Sequence, residues 1–368
     1  MIALADIISR HEAAYLEQYR HAILPSHRQA LAAMKFCRTS LAPRLLAQCC
    51  ACDERRLVPH SCGHRNCPHC QHHESQQWLE RQLKRQVPAD YFLVTFTVPA
   101  EFRDLAWRHQ RLFYALLFEC TWATVSTFSQ NDKHLHGRPG AVSVLHTHSR
   151  RLDFHPHLHL AMPAAALDAK SRRWRTKPRR TGAGYLFNHR ALAKVFRAKL
   201  LAALTREGLT LPVCHPRKWV VDCKGVGTGE KALVYLGRYL YRGVVQEKDI
   251  LSCDEKQVSF RYLDSQTGEM AVRTVSGATF LWLILQHVLP KGFRRARNFG
   301  FLHPNSKGLI ALLQVVLKVV PCADLGWMKP RPPFLCTCCG APMQVMRRRI
   351  PLVPDRGRGV GLAEGVSA

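Results

Sequence analysis

The chain has 368 residues, 47% hydrophobic and 22% charged, which suits a globular protein with two or three domains. Its 54 Lys and Arg outnumber 26 Asp and Glu, a formal net charge of +28. Such a chain repels itself unless a polyanion is near, which favours nucleic acid over a membrane surface or an inert basic face and leaves a small-molecule substrate unexpected.

The first residues meet Asp6 before a signal-peptide core can form, and no stretch reaches the roughly 18 to 20 apolar residues of a membrane span. A cytoplasmic protein is expected, whose 15 Cys stay reduced, so that clustered Cys suggest zinc and not disulfides.

In chain order, apolar spacing predicts two helices within 6–35. Cysteines follow: the pairs Cys49/Cys52 and Cys67/Cys70 are separated by fourteen residues, close enough for two knuckles to share one tetrahedral zinc ion. Cys62 is an alternative ligand, as are His60 and His64. Four thiolates would close the shell, so this site is expected to be structural. A basic amphipathic helix through Trp78 and Leu83 precedes Tyr91–Pro99, whose β-branched and aromatic content predicts a central strand. A helix through Leu112 and Trp122 and a strand at Val142–His146 come next.

Asp153-Phe154-His155-Pro156-His157-Leu158-His159-Leu160 then places imidazoles at alternate positions. On a strand, His155, His157 and His159 leave one face while Leu158 and Leu160 enter a core. A strand that gives one face to imidazoles suggests metal binding. Its proximity to Val142–His146 predicts an antiparallel hairpin.

Residues 164–184 are expected as a basic loop in which Trp174, flanked by Arg172, Arg173 and Arg175, would stack on an unpaired base. An amphipathic helix covers Leu192 to Leu204. Thr228 is a candidate N-cap for a helix over 230–242, whose Tyr235 and Tyr239, four apart, leave one face. A β-hairpin over 258–275, helices near 277–288 and 308–319, and a lone Cys336/Cys339 pair complete the chain.

The ordered blocks Ser61–Gln71, Tyr91–Pro99, Val144–Thr147, His155–His159, Tyr235–Tyr239 and His287–Phe293 resemble the HUH endonuclease superfamily, and more narrowly the transposases of the IS91 family, over about residues 30–305. The resemblance implies that His157 and His159 hold Mg2+ or Mn2+, with His155 or His146 as a third ligand. It also implies that Tyr235 and Tyr239 attack DNA to give a 5′-phosphotyrosine. Arg238 and Arg242 would bind phosphates.

The expected fold is α+β: an antiparallel-sheet HUH core with helices packed on one side, preceded by a small helical and zinc-knuckle domain. The expected units are 1–88 (helical, zinc-binding, DNA-binding), 89–250 (nuclease), 251–310 (hairpin and basic extension) and 311–368 (basic tail, with Cys336/Cys339 as a candidate zinc knuckle). The function implied is rolling-circle transposition with single-stranded DNA as partner, in a bacterial, nucleoid-associated setting. Competing readings are a replication initiator or relaxase with the same chemistry, a non-enzymatic zinc-dependent DNA-binding protein, and a metallohydrolase that activates water.

Overall fold

The computed structural model describes residues 2–70, 72–168, 171, 173–177, 186–241, 243–264, 267–319 and 333–350. In chain order the elements are α1 (Leu4–Gln18), α2 (Pro25–Lys35), β1 (Arg44–Cys49), β2 (Arg55–Pro59), α3 (His72–Leu83), β3 (Tyr91–Thr97), α4 (Arg103–Arg108), α5 (Gln110–Asn131), β4 (Arg138–His148), β5 (Phe154–Pro163), β6 (Ala165–Asp168), β7 (Arg173–Thr176), α6 (His189–Arg206), β8 (Val221–Gly225), α7 (Glu230–Tyr241), β9 (Ile250–Cys253), β10 (Gln257–Leu263), β11 (Met270–Ser276), α8 (Gly277–Leu285), β12 (Ala296–Gly300), α9 (Lys307–Val316), β13 (Phe334–Leu335) and β14 (Pro342–Ile350).

The α+β class is as expected. The main sheet runs β7-β6-β4-β5-β3-β8, with β12 added along β4, and its neighbours pair antiparallel. The alternation in β3 and β5 divides the sheet's faces. Phe92, Val94, Phe96, Leu158, Leu160 and Met162 join Phe113, Leu117, Phe196 and Leu200 of α5 and α6 in the largest core.

The other face is covered as well, which corrects the expectation of helices on one side only. Val142, Val144 and Ala161 pack with Trp78 and Leu79 of α3 and with Leu233, Leu236 and Leu240 of α7. His146, His157 and His159 continue the same face beyond Val144 and Ala161.

Two glycines allow α7 to lie there. A Cβ on Gly229 would fall 2.4 Å from the Tyr91 ring, and its φ of +85° lies in the left-handed region. Gly229, not Thr228, caps the helix, because its carbonyl accepts the first helical bond from Leu233 N–H at 2.9 Å. Gly237 faces the Trp78 ring, where a Cβ would sit at 3.3 Å.

The segments expected as separate units share cores. α1 and α2 pack with Val258 and Phe260 of β10 and Phe280 and Ile284 of α8. Residues 333–350, expected as part of a tail, enter a sheet ordered β13-β14-β1-β2. Among the described residues no helix is long and apolar enough to cross a membrane.

Candidate active site and cysteine clusters

Cross-strand register assembles the histidine group. His146 of β4 lies directly opposite His157 of β5, and Thr95 of β3 opposite His159. Ring nitrogens of His146, His157 and His159 all lie within 4.8 Å of one another. His155 is on the same strand but outside this group: its Nδ1 lies 3.3 Å from Arg103. Of the two alternatives for a third ligand, the fold brings together His146.

The donor set fits a cation. Nδ1–H of His157 donates to the His155 carbonyl at 2.6 Å, which leaves Nε2 as the free lone pair. Thr95 Oγ1 holds His159 Nδ1 at 2.9 Å. Nε2 of His146 is buried without a hydrogen-bond partner, an arrangement that costs stability unless something binds it. Burial holds all three imidazoles below their ordinary range, with His157 pushed down to about 3 and His159 to about 4, so they are neutral at physiological pH, as ligands must be.

Tyr235 and Tyr239 both reach this group from α7, yet they sit differently. The Tyr235 ring is 5.9 Å from His146 and 5.8 Å from His159, and the residue is 47% exposed. Tyr239 stacks on His146, and its hydroxyl accepts Thr147 N–H at 3.2 Å. Burial raises both phenols, Tyr239 to about 12, while Arg150 acts against the shift at Tyr235 and Arg295 at Tyr239.

A cleft of about 530 Å³ opens beside them, lined among others by both tyrosines, Arg150, Arg238 and Arg261. The sequence reading missed Arg150, Arg261 and Arg295. The first two meet the tyrosines only where the turn after β4 and strand β10 pack beside α7, a contact between elements that no local pattern marks. Buried Arg295 is placed by the β12–β4 pairing, for which a single Arg carries no sequence signal.

The cysteines expected to share one ion belong to two clusters. Cys67 and Cys70 join Cys37 and Cys62, whereas Cys49 and Cys52 join Cys336 and Cys339. Strand β2 separates Cys52 from Cys62, and it leads the chain away from the Cys49 knuckle before Cys67 is reached. Within the first cluster Cys37 and Cys70 sulfurs are 3.3 Å apart and Cys62 and Cys70 sulfurs 3.6 Å.

Comparison with known proteins accords with both parts. Residues 7–98 match the family described as "Transposase zinc-binding domain", of IS91 type, and residues 140–308 match that described as "Putative transposase". A protein of Sinorhizobium fredii (strain NBRC 101917 / NGR234), "Putative transposase y4qJ", is 32% identical over 81% of this chain and 80% of its own. The chain belongs to the IS91 family of transposases. The transposase for insertion sequence element IS801 of Pseudomonas savastanoi pv. phaseolicola is 27% identical, over 80% of this chain and 76% of its own. No solved structure matches.

The transposase's other expected DNA contacts are dispersed. Residues 165–168 and 173–176 form the strands β6 and β7, where a loop was expected. Trp174 there meets the Phe301 ring at 5.3 Å, so it packs internally, and Arg175 pairs with Asp168 at 3.1 Å. Arg173 is exposed. This hairpin joins β4 at Arg138 and Pro139, about 26 Å along the strand from His146 at the usual rise per residue. Arg238 is exposed in the cleft, while Arg172 and Arg242 lie outside the described residues.

Proposed function

We propose that this transposase cuts and rejoins single-stranded DNA through Tyr235 and Tyr239 at an HUH-type centre formed by His146, His157 and His159. The observation that carries the reading is the convergence of two phenols on three clustered, neutral imidazoles, with both phenols also lining an arginine-rich cleft. A non-enzymatic DNA-binding protein has no use for that arrangement.

A Mg2+ or Mn2+ ion held by the histidines, with phosphate oxygens completing its shell, would polarise the scissile phosphodiester. The phenol oxygen attacks phosphorus, the 3′ oxygen leaves as a hydroxyl, and a 5′-phosphotyrosine forms. One phosphodiester replaces another, so a free 3′ hydroxyl can reverse the step without ATP. Arg150 beside Tyr235 favours the phenolate that develops, and Arg238 and Arg261 offer guanidinium forks to the flanking phosphates. Two tyrosines allow one to keep the donor strand while the other engages the target, which suits rolling-circle transposition. Cys37, Cys62, Cys67 and Cys70 would hold a structural zinc ion in the matched zinc-binding region.

The test is a denaturation-resistant adduct between the protein, an element-end oligonucleotide and Mn2+. Wild type should form it, and the Tyr235→Phe/Tyr239→Phe double variant should not. An adduct that persists in the double variant sinks the assignment.

A further inference from the structure

The second cysteine cluster spans the chain: Cys52 and Cys336, 284 residues apart in sequence, have their sulfurs 3.6 Å apart. The geometry points to a second zinc site, in which Cys49, Cys52, Cys336 and Cys339 act as a clasp that fastens residues 333–350 to the β1–β2 hairpin.

The spacing is that of ligands around one ion. Cys49 and Cys339 sulfurs are 3.5 Å apart, and all four lie within 4.8 Å of one another. Tetrahedral coordination with Zn–S near ~2.3 Å puts sulfurs about 3.8 Å apart, whereas a disulfide bond is about 2.05 Å.

The two knuckles are built alike. Cys49 Sγ accepts Ala51 N–H at 3.3 Å, and Cys336 Sγ accepts Cys338 N–H at 3.4 Å, bonds that favour thiolates. Directly after the second cysteine of each pair the backbone turns left-handed, at Asp53 with φ 56° and Gly340 with φ 73°. Each turn carries the chain back so that both cysteines of its pair face the same point.

The surrounding core is too small to hold the sheet alone. Its buried side chains are Leu45, Ala47, Met343 and the ligands Cys49 and Cys336. Modules of that size need a metal or another staple, and coordination by four thiolates supplies folding free energy while leaving no open position. The clasp thereby holds β14, with exposed Arg347 and Arg348, in one sheet with exposed Arg55 and Arg56 of β2.

Zinc content of the full-length protein, purified under reducing conditions without chelators and measured by inductively coupled plasma mass spectrometry, tests the proposal. Two zinc ions per chain are expected in wild type and one in Cys336→Ala/Cys339→Ala, with trypsin cutting 333–350 at least about tenfold faster in that variant. Cys336→His alone, which keeps Cys339 and exchanges one thiolate for an imidazole ligand, should hold two ions and wild-type trypsin resistance. The proposal is overturned by two ions in the double alanine variant, by a single ion in wild type that Cys62→Ala removes, or by a Cys49–Cys339 or Cys52–Cys336 disulfide in non-reducing peptide mapping. None of these measurements uses DNA, so they succeed or fail independently of the strand-transfer reading.

Discussion

The Tyr239 ring lies flat against the His146 imidazole, with centroids 3.2 Å apart and planes 9° from parallel. One turn earlier on the same helix, Tyr235 approaches the same imidazole at 5.9 Å and remains half exposed. The two phenols are therefore not equivalent. On the proposed chemistry one is open to a strand in the cleft, and the other would have to leave its stack and its Thr147 hydrogen bond before attacking.

Single variants should separate them. Tyr235→Phe is expected to abolish the first covalent adduct with an element-end oligonucleotide, whereas Tyr239→Phe retains it and loses transfer to a second strand. Equal adduct yields from both variants would contradict this order. The hydroxyl lost in Tyr239→Phe also costs about 1 kcal/mol of stability through the Thr147 bond, which denaturant unfolding would detect.

His146 and His155 are distinguished by metal binding. His146→Ala should weaken Mn2+ binding by at least ~100-fold, more than loss of a supporting hydrogen bond does. His155→Ala, whose imidazole faces Arg103, should change it only a few-fold. Calorimetric titration of Mn2+ into DNA-free protein measures both, and the reverse ranking would move the third ligand to His155.

The cleft arginines should register as salt dependence. Arg238→Gln is expected to weaken single-stranded DNA binding across unrelated sequences and to lower the slope of log K against log salt by about 0.7, the contribution of one phosphate on a single strand. Fluorescence anisotropy at several salt concentrations reads that slope. An unchanged slope would remove Arg238 from the interface.

Acid should destabilise the N-terminal core. His27 is fully buried, and burial pushes its pKa down to about 4 from 6.5. The unfolded chain therefore binds a proton that the folded one refuses between those values, so stability is full above pH 6.5 and falls as pH drops towards 4. From pH 7 to 5 this one group should cost about 2 kcal/mol. Urea unfolding of wild type and His27→Gln at both pH values checks it: the variant should lose less on acidification, even if it starts lower.

Gly229→Ala should destabilise by about 2–4 kcal/mol, since its Cβ would strike the Tyr91 ring in a left-handed backbone. Thermal unfolding gives the size of the effect. Because Gly229 caps α7, the same variant should also reduce adduct formation by displacing the tyrosines, and full stability would contradict the close packing described.

Local order carried much of this protein's chemistry in the sequence itself. Alternation alone put His157 and His159 on one face of a strand with Leu158 and Leu160 on the other, and a four-residue step put Tyr235 and Tyr239 on one side of a helix, because both periods are properties of the backbone. What tertiary structure decided was every pairing between distant segments. Antiparallel register selected His146 over His155, the β12–β4 pairing delivered Arg295, and chain return after 284 residues divided the cysteines into two clusters and gave Cys49 and Cys52 their partners. Helix and strand periods specify which way a side chain leaves its own segment. Which side chain it then meets depends on strand register and packing between segments far apart in the chain, and no local pattern encodes that distance.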